Sequence, residues 1–407
     1  MVPTSSTTRH VDDAERRARL VLRQHVGGPA AADALAALHA VGVLHATEPA
    51  TVYLTLQARV PGLGVEDVDA ALYRDRSMVK QLAMRRTLFV FPRDLLPAAW
   101  GSASARVHGA ESRRIALEVG ATGLADRFGG DGAAWLADAR SRITAAIAAS
   151  PDGLTAAQVR EQLPDLAEPV ALSPTAVWNH GRLLTNLGLD ATIVRGVNTQ
   201  HWRLSRPRWT LMDRWLGEVP EPLPEAAGYA ALVRTWLARF GPGTEDDLVW
   251  WLGGTKGAVR AALAALEAVP VSLDAGATGW LLPDDVAPVS WDDVVDTGPA
   301  VALLPVLDPT IMGWKARDWY LGDLAPALFD RNGNAGTSVW VDGRAVGCWV
   351  QDADGAVRPD LLVPVSAEAR RAVSAEAERL TAWLDGTVVG TVYPSPAMKA
   401  ARAGTGT

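Results

Sequence analysis

The strongest constraint on this chain is a pattern that occurs twice. Residues 133–148 (AAWLADARSRITAAIA), 154–163 (LTAAQVREQL) and 173–187 (SPTAVWNHGRLLTNL) carry apolar side chains at helical spacing, the last opened by Ser173 as cap and Pro174. ATIVRGV and NTQHWRLS then read as two short strands about a Gly196-Val197-Asn198 turn. Roughly ninety residues later the order returns, with AGYAALVRTWLARF, TEDDLVWWLGG and KGAVRAALAALEAV as helices and PVSLDAGATGWLLP as strand, turn and strand. Three helices and a hairpin are the elements of a winged helix-turn-helix. Two such units in series point to duplication of one module.

The flanking sequence fits around this pair. Val11, Ala14, Ala18 and Leu22 recur at helical spacing until Gly27-Gly28-Pro29 ends the helix, and a second helix is expected over 31–38. Pro49 is suited to open a helix, 67–76 reads as another, and Thr87–Phe91 as a strand, so the N-terminal segment fits a third, less regular copy. After residue 299 the character changes. PAVALLPVLDP resembles a buried strand, SVWVDGRAVGCWV alternates about an Asp342-Gly343 hairpin turn, and residues 366–386 predict a helix with Val373, Ala377, Leu380 and Leu384 on one face and Gly386 as its stop. MKAARAGTGT reads as a loose tail. The expected fold is α+β: three tandem winged helix-turn-helix modules (10–125, 126–215 and 224–298) with a strand-containing C-terminal region (299–390), C-shaped; because winged helices most often bind nucleic acid, its concave surface is expected to take DNA.

Several function classes are excluded by composition. Cys348 is the single cysteine, and the seven histidines are scattered, so neither a disulfide framework nor a structural zinc is expected. Arg9, Asp12, Asp13 and Glu15 interrupt the beginning where a secretory leader needs an apolar run, and no stretch reaches the ~18 apolar residues of a membrane span. A cytoplasmic chain is expected. Richness in Ala, Arg, Gly, Val and Asp, with lysine confined to Lys80, Lys256, Lys315 and Lys399, suggests a GC-rich bacterial gene. There is no HExxH, no CxxC and no dinucleotide fingerprint, and GGTKG lacks phosphate-loop spacing, so no cofactor is expected.

The net charge of −7 conceals segregation. Arg74, Arg76, Lys80, Arg85 and Arg86 form a basic strip against Asp75 alone, while Asp284, Asp285, Asp292, Asp293 and Asp296 concentrate acid elsewhere. A local basic strip on an acidic chain suits a phosphate backbone met at one place.

With AMRRTLFVF followed by Arg93-Asp94-Leu95, FGPGTEDDLVWWLG, ALLPVLDPTIMGWKARD and VWVDGRAVGCW in this order, the chain resembles the AlkZ-like, winged-helix DNA glycosylases from about residue 15 to 385. That resemblance implies excision of alkylated bases, including bulky adducts left by genotoxic natural products, from double-stranded DNA by a monomer. In the family the catalytic residues lie in a short Gln-x-Gln or Gln-x-Asp motif closely followed by proline. With Pro49 on that proline and Arg85-Arg86-Thr87 on the later Arg-x-Thr motif, the two catalytic positions fall on His45 and Thr47. This chain reads His-Ala-Thr-Glu-Pro there, with neither glutamine.

The chemistry needed is modest. Alkylation at guanine N7 or adenine N3 makes the base a cationic leaving group, so the enzyme has to stabilise an oxocarbenium-like sugar and hold a water at its anomeric carbon. His45 suits accepting a proton from that water or orienting it, Thr47 hydrogen-bonding it, and Glu48 placing negative charge near the developing cation. Equally, His45 fits a core histidine and Thr47 a helix cap. Lys80 sits among arginines rather than in a desolvated site, which favours hydrolysis over Schiff-base chemistry.

The remaining candidates are expected at DNA. Arg85, Arg86 and Thr87 flank the site, Lys80 reads as a phosphate contact, and Arg59 as either structural or phosphate-facing. Trp314, placed in a loop, retains the option of stacking, Arg317 matches a family position beside Asp318, as does Asp308, and Arg344 stands at a hairpin turn suited to probing a groove. Trp250, Trp251, Trp340 and Trp349 read as core. The rival reading is a non-catalytic winged-helix regulator or lesion binder. Against a regulator, the third helices carry only Arg182, or Lys256 and Arg260, with His180 as a polar addition, which is poor equipment for reading bases.

Overall fold

Local chemistry sets the helix boundaries. Asp12 and Asp33 accept the amides of Glu15 and Ala36 and cap the helices Asp13–Gln24 and Ala34–Val41. Thr155 and Thr244 open Ala156–Gln162 and Glu245–Leu252 with reciprocal bonds to Gln158 and Asp247. The computed structural model describes residues 9–173, 175–294 and 298–403. Pro174, Asp296, the first eight positions and residues 404–407, on which parts of the sequence reading fall, lie outside the described residues.

The chain divides into two units, one made of the residues up to Ala71 with those from Ala230 onward, the other Leu72–Tyr229. In the first unit His10–Val11 runs parallel to Val269–Leu273, which pairs antiparallel with Thr278–Leu281, and Val11, Val271, Leu273 and Leu281 pack together. A second, antiparallel sheet takes its strands in chain order: Val301–Leu304, Ser338–Val341, Arg344–Gln351 and Val357–Leu361. Asp342 and Gly343 form its expected two-residue turn, both with left-handed φ (49° and 71°). A Cβ on Gly343 would stand 2.8 Å from that of Arg17, so only glycine allows this approach.

Helix Ala367–Leu384 lies on this sheet and buries Val373, Ala377, Leu380 and Leu384, the four positions its periodicity predicts. The segment after it is not a loose tail. Pro396–Ala403 is a helix that buries Ala397, Met398 and Ala401 against the strand Arg344–Gln351. Three apolar residues give too short a run for periodicity to register, and the surface that receives them lies far away in sequence.

In the second unit Met78–Leu82 and Leu88–Pro92 form an antiparallel hairpin, the latter one residue later than expected. Helices Ala105–Gly120, Gly132–Ala148 and Gly181–Leu189 surround a core containing Ile115, Val119, Trp135, Ile143, Leu183, Leu187 and Trp209. Helix packing here depends on Gly132, where a Cβ would meet the Ala116 carbonyl oxygen at 1.9 Å.

Two elements differ from expectation. Ser173 does not cap a long helix: it ends the strand Ala171–Ser173, paired with Ala176–Val177, and the helix begins only at Gly181. Trp178 decides this, because its indole is buried and donates to the Leu166 carbonyl, fixing the chain before a helix can start. The following hairpin turns later than Gly196-Val197-Asn198, since its strands are Ile193–Asn198 and Pro207–Leu211. The Asn198 side chain organises the long loop, donating to the Gln200 and Leu204 carbonyls and accepting from the Arg206 amide.

Candidate active site

The turn between the short strand Leu44–His45 and the helix Pro49–Gln57 carries the three residues expected to be catalytic. Pro49 takes the first helical position, where its fixed φ is already correct and its missing N–H costs nothing. His45 is 8 % exposed, Thr47 is open to solvent and Glu48 is partly covered. Glu48 occupies the cap position with extended backbone but makes no side-chain cap. Its Oε1 instead accepts the Thr391 hydroxyl at 3.0 Å and the Val392 amide at 2.8 Å. Burial, with the charges of Glu48 and Asp330, raises the neighbouring Tyr393 phenol above its usual range. Beside Glu48 lies a small, partly open cavity lined also by Thr51, Val306 and Thr391.

A buried polar network fixes the helix that follows the turn. Thr51 donates to the Val306 carbonyl and Thr55 to Asp308. Arg59, just past the helix, pairs with Asp308 through two nitrogens at 2.9 and 3.0 Å, and also donates to Thr310 and to the Gln24 and Thr55 carbonyls. Its side chain is 0 % exposed. The expectation of Arg59 at phosphate is therefore corrected: a guanidinium with all three nitrogens occupied inside the protein is unavailable to DNA.

Trp314 is corrected likewise. It is 1 % exposed, donates to the Phe240 carbonyl, and lies within an aromatic cluster with Trp236, Phe240, Trp319 and Tyr320. Its loop is an interior one, which loop position alone does not reveal. Arg317 donates to the Trp314 carbonyl and stacks over Trp250 and Phe329, with ring centroids 4.9 and 4.4 Å from its guanidinium carbon. Burial lowers its pKa, opposed by Tyr320 and Asp247. Arg344 is exposed, but the turn before it is docked, with Asp342 exchanging hydrogen bonds with Ala300.

The other expected DNA contacts belong to the second unit. Arg85 and Arg86 are exposed at the tip of the hairpin, with consecutive left-handed φ of 55° and 59°. Such backbone is strained for residues with a Cβ. Arg86 donates to Glu111, and Thr87 follows in extended conformation. Lys80 donates to the Tyr73 hydroxyl at 2.7 Å. Arg76 is held by the Trp215 carbonyl and stacks on the Trp215 ring, and Arg74 pairs with Asp75.

The cations of the third helices are neutralised. Arg182 pairs with Glu111 and Glu118, Lys256 with Glu245 and Asp246, and Arg260 with Glu245. Among the described residues no group of three or more His, Cys, Asp or Glu side chains is placed to hold a metal ion, and no helix is long and apolar enough to cross a membrane.

A family model, DNA glycosylase AlkZ-like, matches residues 38–383. The chain belongs to this family. DNA is accordingly the substrate polymer, and the turn at His45 lies inside the matched region. No curated protein matches the sequence. Among solved structures, that of the Streptomyces sahachiroi DNA glycosylase AlkZ is similar over 92 % of this chain and 97 % of its own, with a TM-score of 0.68 and 17 % identity. The fold is thus shared while most side chains differ.

Sequence reading placed the turn but not its supports. Gln24, Thr55 and Thr310 are ordinary helix or loop residues until the fold gathers them about Arg59 and Asp308. Nothing in the sequence links Thr391 to Glu48.

Proposed function

We propose that this protein is a monofunctional DNA glycosylase that hydrolyses the N-glycosidic bond of bulky alkylated purines, with N7-guanine adducts as the favoured class. The observation that carries this reading is the His45-Ala46-Thr47-Glu48-Pro49 turn, which lies within the region the family model matches, gathers three polar side chains suited to water placement, and is held by a helix bonded to the buried Arg59–Asp308 pair.

The roles follow from side-chain chemistry. The alkylated base leaves readily because it already carries positive charge, so the protein needs a placed water and a negative group rather than a strong base. His45 accepts the proton of the attacking water, Thr47 orients that water, and Glu48 stabilises the cationic sugar. Arg85, Arg86 and Thr87, with Lys80, meet the phosphate backbone, and the exposed, strained turn at Arg85-Arg86 supports that role. Arg344 is a further backbone contact. The helix and hairpin groups over 10–125, 126–215 and 224–298 serve as winged-helix modules that meet the duplex. The enzyme acts as a monomer in a bacterial cytoplasm, in repair or in self-resistance to a genotoxic natural product.

The test is incubation of the purified protein with duplexes carrying defined N7-alkylguanine adducts, following free base and abasic sites. Release of the modified base with an intact strand is expected. Tight binding with every adduct left in place would instead support the non-catalytic lesion binder, a reading favoured by the missing glutamines.

A further inference from the structure

The family match ends at residue 383, and the helix on the C-terminal sheet ends at Leu384. The next stretch, Thr387–Tyr393, has no regular secondary structure, yet it is tied down on both sides of Glu48. Upstream, Gln351 donates to the Thr387 carbonyl and accepts the Val389 amide. Downstream, Ser395 is fully buried and accepts the Met398 amide, opening the helix Pro396–Ala403, whose Ala401 carbonyl receives Arg358. Between these anchors Thr391 and the Val392 amide both donate to Oε1 of Glu48. Thr391 is itself oriented by accepting the Tyr393 amide at 2.9 Å.

This arrangement is more than a packed terminus. A side chain that serves a helix as its cap accepts one of the helix's free amides. Glu48 does not, and its carboxylate is fixed by a strap 343 residues further along the chain. Hydrogen bonds to an ionised carboxylate are short, strong and directional, so two of them on one oxygen fix the carboxylate plane. A group meant to face a transient cation benefits from being held before the reaction, because no reorganisation is then needed.

Resting on the reading of the His45–Glu48 turn as catalytic, we propose that Thr391 is a positioning residue for Glu48. The strap Thr387–Tyr393 holds one carboxylate oxygen and so orients the other toward the developing sugar cation. Thr391 touches no reacting atom and acts only through Glu48.

The experiment uses the full chain and a duplex carrying N7-methylguanine, with single-turnover excision, duplex affinity and melting temperature measured for each variant. Thr391→Val should slow excision about tenfold, the value of one charge-assisted hydrogen bond, with affinity unchanged and the protein fully folded at the assay temperature. Thr391→Ser, which keeps the hydroxyl, should restore the rate. Glu48→Gln should slow excision at least as much, and Thr391→Val should add nothing in that background. A Thr391→Val rate equal to wild type, or one whose loss persists undiminished beside Glu48→Gln, would overturn the proposal, as would a loss that merely follows melting temperature. An inert wild-type protein would overturn the catalytic reading of the turn itself, and the role of Thr391 with it.

Discussion

Arg59 and Asp308, 249 residues apart, form a two-pronged ion pair with both side chains wholly buried. Thr55, Thr310 and Gln24 complete their hydrogen bonding, and the pair joins the helix after the candidate catalytic turn to the loop before Trp314. Two charges withdrawn from water are tolerated because each meets the other and its remaining polar positions are filled.

Removing one partner leaves the other charged and stranded. Asp308→Ala is therefore expected to cost about 3–5 kcal/mol of stability, read as a lower urea midpoint, whereas Arg59→Met with Asp308→Leu should cost much less. Similar midpoints for the single and double variants would contradict this account of the pair.

The hairpin tip makes the opposite kind of prediction. Arg85 has φ 55°, ψ 25°, which glycine adopts freely. Arg85→Gly is expected to leave stability unchanged or raise it by up to about 1 kcal/mol, while weakening duplex binding and lowering the slope of log affinity against log salt by about one. Titration by fluorescence anisotropy at several salt concentrations, beside thermal melts, reads both.

Lys256 and Arg260 provide the contrast. Their charges already meet Glu245 and Asp246, so Lys256→Ala and Arg260→Ala should leave duplex affinity and its salt slope within error of wild type. Losses equal to that of Arg85→Gly would place this helix on DNA instead.

Acid should weaken the fold through two histidines. Burial lowers the pKa of His25, opposed by the Pro29 carbonyl, and that of His108, opposed by Asp190, both from an ordinary value of 6.5. With the folded pKa depressed, the unfolded chain binds the proton first. Stability is then complete above about pH 6.5 and declines as pH falls through and below it. His25→Asn with His108→Asn should flatten urea midpoints measured from pH 7.5 to 5.5, and an unchanged slope would contradict the assignment.

Much of the fold was legible because local signals suffice for it. Asp342-Gly343 specifies its turn, Pro49 its helix start, and the Val373 to Leu384 spacing its buried face. The candidate site was legible only as a turn ahead of Pro49. Arg59 and Trp314 read as DNA contacts because a lone arginine or a loop tryptophan does not announce a buried partner, and Asp308 and Phe240 lie far from them in sequence. The final helix was missed because its stability comes from the surface it covers rather than from its own eight residues.

The central claim of the proposed function is that His45 activates the water that attacks the sugar. Its most direct test is the single-turnover rate of base release from an N7-alkylguanine duplex by wild type and His45→Ala, with folding checked by thermal melting. The account predicts release by wild type and a loss of about a hundredfold or more in the variant, with melting temperature and duplex affinity retained. Release by His45→Ala at the wild-type rate would contradict it.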